Sequence, residues 1–508
     1  MKRILLLLFL SVGFVARAQV YNNEWIDYSK TYYKFYMKPS ASDKGLHRIP
    51  QSLLAANGLG NVPAEQFQLW RDGQQVPVYT SVATGILSPT DYIEFWGLQN
   101  TGKPDNVMYR QPEFQLNDAF SLQTDTATYF LTVDPVVANN LRFSTVTNNV
   151  AGNSLPPETF MIYKARYSFQ DRINEGFAAI VGEYVFSSAY DQNEGWASSA
   201  IDSADNLTNT LFNLNPYTGT GAPAPIFRIN AAGEAQNPRR FKVIINSDSV
   251  YGASMDFFDY HKGQTPFNIS TLASGSAVIK TYNMSSTKPD RMSVAQYELE
   301  YPRTFNFANA SNFEFELASS AAGNYVEITN FNSSGVAPVL YDLTNMKRYV
   351  AEFTGSGPSA IYKFALLPSP TARKLLLVSE HSSNPELVTS LTQRSFINYS
   401  LAANQGNYLI ISNQILRQGA SGTDPVENYR AYRASAAGGS YNTKIYMIDQ
   451  LVDQFGFGIK KHPMSVWNFI RWARSHYSAP LKNVFLIGRA MDYYDYRSHE
   501  SDPIAELL

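Results

Sequence analysis

The sequence predicts several β-rich units of β-sandwich, jelly-roll type, followed by the first part of an α/β unit built on a parallel sheet. Three observations carry this. Short alternating apolar and aromatic runs, bounded by Gly, Asn, Asp, Ser or Pro, recur from residue 20 to about residue 350. Near residue 396 the pattern changes to strand, helix, strand, helix, strand, with connections long enough for parallel crossovers. With 508 residues and 44% hydrophobic composition, the chain is too long for one core and apolar enough for several.

The amino terminus reads as a secretory signal peptide over residues 1–18. Lys2-Arg3 form a basic start, Ile4 to Val15 are apolar, and Ala16-Arg17-Ala18 provide the small-residue cleavage site before Gln19. The expected location is therefore outside the cell or on its surface. No later run is apolar and long enough to be a transmembrane span. Cys is 0, which excludes disulfides, a thiol nucleophile and thiolate metal sites from these residues. Lys and Arg number 41 against 43 Asp and Glu, so no basic surplus exists to neutralise phosphates and no nucleic-acid partner is expected.

Residues 19–150 read as an amino-terminal β domain. Tyr32–Met37, Asp91–Gly97 and Thr128–Asp134 alternate as strands do, and Phe67–Thr80 reads as a hairpin turning at Asp72-Gly73, where positive φ is tolerated. Pro50–Gly60 reads as the one helix of this region. A polar stretch ending in Pro156-Pro157 marks a boundary, and residues 151–350 read as a β-sandwich domain. Ile361–Pro368 and Lys374–Glu380 read as strands of a connecting segment, 351–395. Residues 396–508 carry the α/β pattern. Asn407–Ser412 is a nearly continuous apolar run, as a strand buried on both faces requires. Asp424-Pro425 supplies an N-cap and first-turn proline for a helix that ends at Gly438-Gly439. Thr443–Asp449 is the second strand, a helix starts at Pro463, and Asn483–Ile487 is the third strand. The change of pattern near residue 396 suggests that the β region and the α/β region have independent cores.

Motifs with defined chemistry are few. No G-x-G-x-x-G follows the first parallel strand, and neither a Walker loop nor H-E-x-x-H occurs. The six histidines are scattered; His462 is placed to cap its helix and His476 suits a helix carboxyl end. The loop after Gly488 follows a parallel strand, where α/β folds place ligands. Its acids, Asp492, Asp495 and Asp502 with His499 and Glu500, are candidate calcium ligands, although their spacing is not that of an EF-hand. Tyr190–Trp196, YDQNEGW, sets Asp191 and Glu194 beside aromatics, a pattern that suits calcium, a sugar or an ordinary sandwich loop.

Several segments together resemble the gingipain-like cysteine peptidases. WRDGQQVPVY with Gly73, Val76 and Pro77, then Tyr92–Gly97, Asn100, Gly102 and Asp105, are similar to the paired elements of that family's amino-terminal β region. Tyr190–Trp196, Glu300–Arg303 and Tyr341–Tyr349 resemble segments of its larger members, which include the sortase-like surface protease of the type IX secretion system. From Tyr408 onward the order of elements resembles the first half of the family's caspase-like catalytic domain. The departure is Gly488-Arg489-Ala490, where the family has Gly-Asp. The resemblance implies thiolate acyl transfer with a His base, protein or peptide substrates, and secretion-system components as partners. The family's catalytic Cys and His lie on later strands, so no catalytic residue is carried over and both are expected beyond Leu508. The alternative is a non-catalytic adhesion or secretion-assembly module.

Overall fold

The computed structural model describes residues 21–38, 43–187, 189–498 and 508. The signal-peptide segment 1–18 lies outside them, as do His499, Glu500 and Asp502.

The first unit is a sandwich. A five-stranded sheet runs in the order Thr392–Arg394, Tyr32–Met37, Ala127–Val133, Phe67–Arg71, Gln74–Val76. It packs on a four-stranded sheet ordered Glu386–Leu387, Lys44–Pro50, Tyr92–Leu98, Tyr79–Thr80, over a core that includes Phe35, Phe67, Ile93, Phe95 and Leu131. The hairpin forms at Asp72 and Gly73, with φ of 51° and 71° and Arg71 facing Gln74, as a two-residue primed turn requires. The expected helix is Gln51–Ala56 and buries Leu54.

Residues 151–350 do not form one sandwich. A ten-stranded sheet runs past two smaller four-stranded sheets, giving two sandwiches with separate cores. The first core includes Phe227, Val243, Ile279, Tyr297 and Leu299, and the second Phe307, Phe315, Ile328, Phe364 and Leu377. The 13-residue strand Arg291–Arg303 anchors the first, and Met161–Ser168, beside it, passes the sheet on to Asn312–Leu317.

Residues 351–395 are not a connecting segment either. Ile361–Leu366 pairs with Asn324–Phe331, and Arg373–Val378 lies inside the long sheet between Asn312–Leu317 and Val339–Asp342. Glu386–Leu387 and Thr392–Arg394 then return to edges of the first unit. The physical reason is that these pairings join residues far apart in the chain, which local periodicity does not encode.

The final unit has the parallel order Thr443–Met447, Tyr408–Ser412, Asn483–Ile487. Every residue of the central strand is buried. Asp424 caps the helix Pro425–Ala434, its Oδ1 accepting the Glu427 N–H at 2.9 Å. The second strand stops at Met447 and a helix, Ile448–Phe455, starts at once, packing on Met464–His476.

The junction near residue 396 is not a loose linker. Trp25, Tyr32, Phe130 and Phe396 form one aromatic cluster, against which Phe457 packs. Lys34 of the first unit pairs with Asp453 of the helix Ile448–Phe455, whose other oxygen lies 3.0 Å from Arg394.

Candidate functional site

A cleft of about 910 Å³ opens between the β-rich units and the parallel sheet. Asn413, Ile448 and Ala490 line it. Each follows the carboxyl end of one parallel strand, the position at which open α/β sheets bind ligands. Val466, Trp467 and Leu486 make its wall largely apolar.

Tyr190 and Glu194 of the segment YDQNEGW line the cleft as well. Glu194, buried at 5% exposure, lines the cleft, and its Oε2 accepts the Asp191 N–H at 2.8 Å. Tyr493, at the start of the short helix Tyr493–Ser498, donates its hydroxyl to the same carboxyl. Desolvation by burial pushes Glu194 up to about 7, and the Tyr493 and Asp191 hydrogen bonds only partly oppose it. Tyr190 meets the Tyr493 ring edge-on at 5.7 Å, and Gln123 donates to the Tyr190 hydroxyl at 2.8 Å. Arg497 of the same helix donates to Asp125 at 2.8 Å and sits 5.2 Å from the Trp196 ring. Two segments that the sequence marks separately thus meet and line one cleft. Their pairing has no local signal, because it depends on how the sandwich docks on the parallel sheet.

The candidate metal ligands fare differently. Asp492 Oδ1 accepts the Asp495 N–H at 2.9 Å, so it caps the short helix, and Asp495 is exposed. Asp502 lies outside the described residues. Among the described residues, no group of three or more His, Cys, Asp or Glu side chains could hold a metal ion.

A second polar cluster lies beside the cleft. His462 Nδ1 accepts the Met464 N–H at 3.0 Å, which is the expected cap. Its Nε2 therefore carries the proton and donates to Asp105 Oδ1 at 2.9 Å. Ser121 Oγ and the Leu122 N–H also donate to Asp105, at 2.9 and 2.7 Å. The serine points at the carboxylate and not at the imidazole, and the His462 and Asp105 side chains are 0% and 1% exposed. The arrangement ties two units together and is not built to activate a nucleophile. Sequence reading placed Asp105 in the family-like element but could not see its partner.

The fold and the cleft thus define a class: a mainly β chain, in sandwiches, set against a parallel α/β unit with an interdomain cleft at its strand ends. Dimeric latent PorU from Porphyromonas gingivalis is a solved structure of similar fold, with a TM-score of 0.51 at 11% identity. The similarity covers 90% of this chain and 41% of that one, so this chain spans less than half the length of the protein it matches. A family 36 carbohydrate-binding module in complex with calcium and xylotriose matches 27% of the chain at 13% identity with a TM-score of 0.18, a level from which no fold assignment follows. No protein-family model matches the sequence, and no curated protein matches it.

Proposed function

We propose that this chain is the amino-terminal scaffold of an exported gingipain-like cysteine endopeptidase or sortase-like transpeptidase, with the Cys/His pair on strands beyond Leu508. The observation that carries the reading is the outer parallel strand. Val484, Phe485 and Leu486 are 38%, 41% and 48% exposed, while the neighbouring strand Tyr408–Ser412 is wholly buried. A parallel strand with an apolar run is suited to cover on both faces and to a further neighbour at its edge. The order of gingipain-like elements along the chain and the similarity of fold to PorU over 90% of this chain support the same reading. In it, the cleft at the strand ends receives a protein or peptide substrate, and secretion-system components at the cell surface are its partners. Among the described residues no helix is long and apolar enough to cross a membrane.

Peptide cleavage by the 508-residue chain and by the product of the gene read beyond Leu508, each with and without iodoacetamide, tests this. The shorter chain, with 0 Cys, is expected to be inactive, and the longer one to cleave until alkylated. Cleavage by the shorter chain overturns the proposal. A longer product with no Cys on its added strands favours the adhesion or secretion-assembly module instead.

Export makes a separate prediction. Amino-terminal sequencing of the secreted protein is expected to start at Gln19, after Ala16-Arg17-Ala18. A start at Met1 would remove the argument for export.

A further inference from the structure

We propose that the end of the cleft built by Tyr36, Arg394 and Lys460 is a carboxylate subsite, which takes an acidic side chain or the carboxyl end of a bound peptide. The inference rests on reading the cleft as a peptide site and adds the charge of what it accepts. All three residues line the cleft. Tyr36 comes from the strand Tyr32–Met37 and Arg394 from its neighbour Thr392–Arg394. Lys460 follows the helix Ile448–Phe455, which continues the parallel strand Thr443–Met447. That strand is at the edge of the parallel sheet opposite Asn483–Ile487. No element of the subsite therefore belongs to the edge at which further strands are proposed.

The charges at this end do not balance. Lys34, Arg394 and Lys460 face two carboxylates, Asp449 and Asp453. Asp453, 1% exposed, meets Lys34 with one oxygen and Arg394, 3.0 Å away, with the other. Asp449 is exposed and lies 3.9 Å from Arg394. Lys460 is exposed and makes no ion pair among the described residues; its ammonium sits 4.4 Å from the centre of the Tyr36 ring. The Lys34 ammonium lies 4.9 Å from the same centre. Lys461 adds a further cation to the lining. Two ammonium groups thus share one exposed ring, which offsets their repulsion only weakly where water reaches it. A carboxylate entering the cleft meets Lys460 as its counter-charge, and partial exclusion of water makes that pairing stronger than on open surface.

The chemistry of the lining narrows the ligand. Arg394, the group shaped for bidentate phosphate recognition, is already engaged by Asp449 and Asp453. What is left is an ammonium, a point charge suited to a single carboxylate. Val452, on the helix between Asp449 and Asp453, also lines the cleft, so an apolar residue is expected beside the acidic one. Glu175 and Asp492 line the cleft from a sandwich loop and from the loop after the outer strand. They disfavour a carboxylate there, so the charge of the cleft orients a peptide as well as selecting it.

Calorimetric titration of the 508-residue chain with three pentapeptides tests the subsite. They are acetyl-Ala-Val-Glu-Val-Ala-amide, the same peptide with Gln for Glu, and that Gln peptide with a free carboxyl end. At low salt, at least one of the two carboxylate peptides is expected to bind roughly three- to ten-fold more tightly than the Gln amide. The peptide that gains names the source of the carboxylate. The gain should shrink at roughly 1 M salt, vanish in Lys460→Gln and return in Lys460→Arg, which keeps the charge. Both variants change an exposed side chain and should keep the wild-type urea midpoint. Equal binding of all three peptides, no measurable binding of any, or a gain that persists in Lys460→Gln or is lost in Lys460→Arg overturns the proposal. No catalysis is involved. A longer product that fails to cleave counts against the peptidase reading and leaves these affinities as measured, whereas a missing carboxylate preference counts against the subsite alone.

Discussion

Replacing Arg239 with Met is expected to destabilise the first of the two central sandwiches by about 3–5 kcal/mol. Arg239 and Asp290 are both 0% exposed, with the guanidinium 2.9 Å from the carboxylate. The same guanidinium donates to the carbonyls of Phe257, Ala235 and Asn237 at 2.7, 2.8 and 2.8 Å. Met fills comparable volume but leaves Asp290 with Asn283 as its remaining side-chain donor among the described residues. A buried charge without its counter-ion costs far more than the pair contributed. Urea denaturation followed by hydrogen exchange should show a lower midpoint for Arg239–Ile245 and Ala277–Asn283, which share one sheet. The double change Arg239→Met with Asp290→Leu should recover much of the loss, because no unpaired charge remains. A single variant within about 1 kcal/mol of wild type would show that the pair is not a structural anchor.

His462→Ala is expected to cost about 2–4 kcal/mol, and the loss should fall on the junction between the first unit and the α/β unit. The substitution removes the cap on the Met464 N–H, takes a donor from the buried Asp105 and leaves a cavity under the helix Met464–His476. Trp467 and Trp472 lie on that helix, so their fluorescence during urea unfolding should report a lower midpoint. The strands around Arg239 should unfold as in the wild type, since sites distant from one another are close to additive. An unchanged tryptophan transition would mean that the aromatic cluster around Trp25 holds the junction without this bond. The junction is the reason to expect coupling at all: a boundary that reads as a change of composition near residue 396 is a packed interface with its own buried polar ties.

What was legible in the sequence is what local physics dictates. The hairpin at Asp72-Gly73, the cap at Asp424, the helix from Pro463 and the three strands of the parallel unit all follow from short-range rules of φ, capping and periodicity. The balanced charge and the absence of Cys are likewise properties of the chain and need no coordinates. The tertiary structure alone decided which strands pair and which side chains meet. It put Arg373–Val378 inside a ten-stranded sheet, split one expected sandwich into two, and left Val484, Phe485 and Leu486 on an exposed outer strand. It turned Asp492 into a helix cap and brought Glu194 to Tyr493 and Asp105 to His462. The reason is one of range. Caps and turns are fixed by neighbours a few residues away, whereas sheet order and buried polar contacts are fixed by which apolar faces cover one another, and that choice belongs to the whole chain.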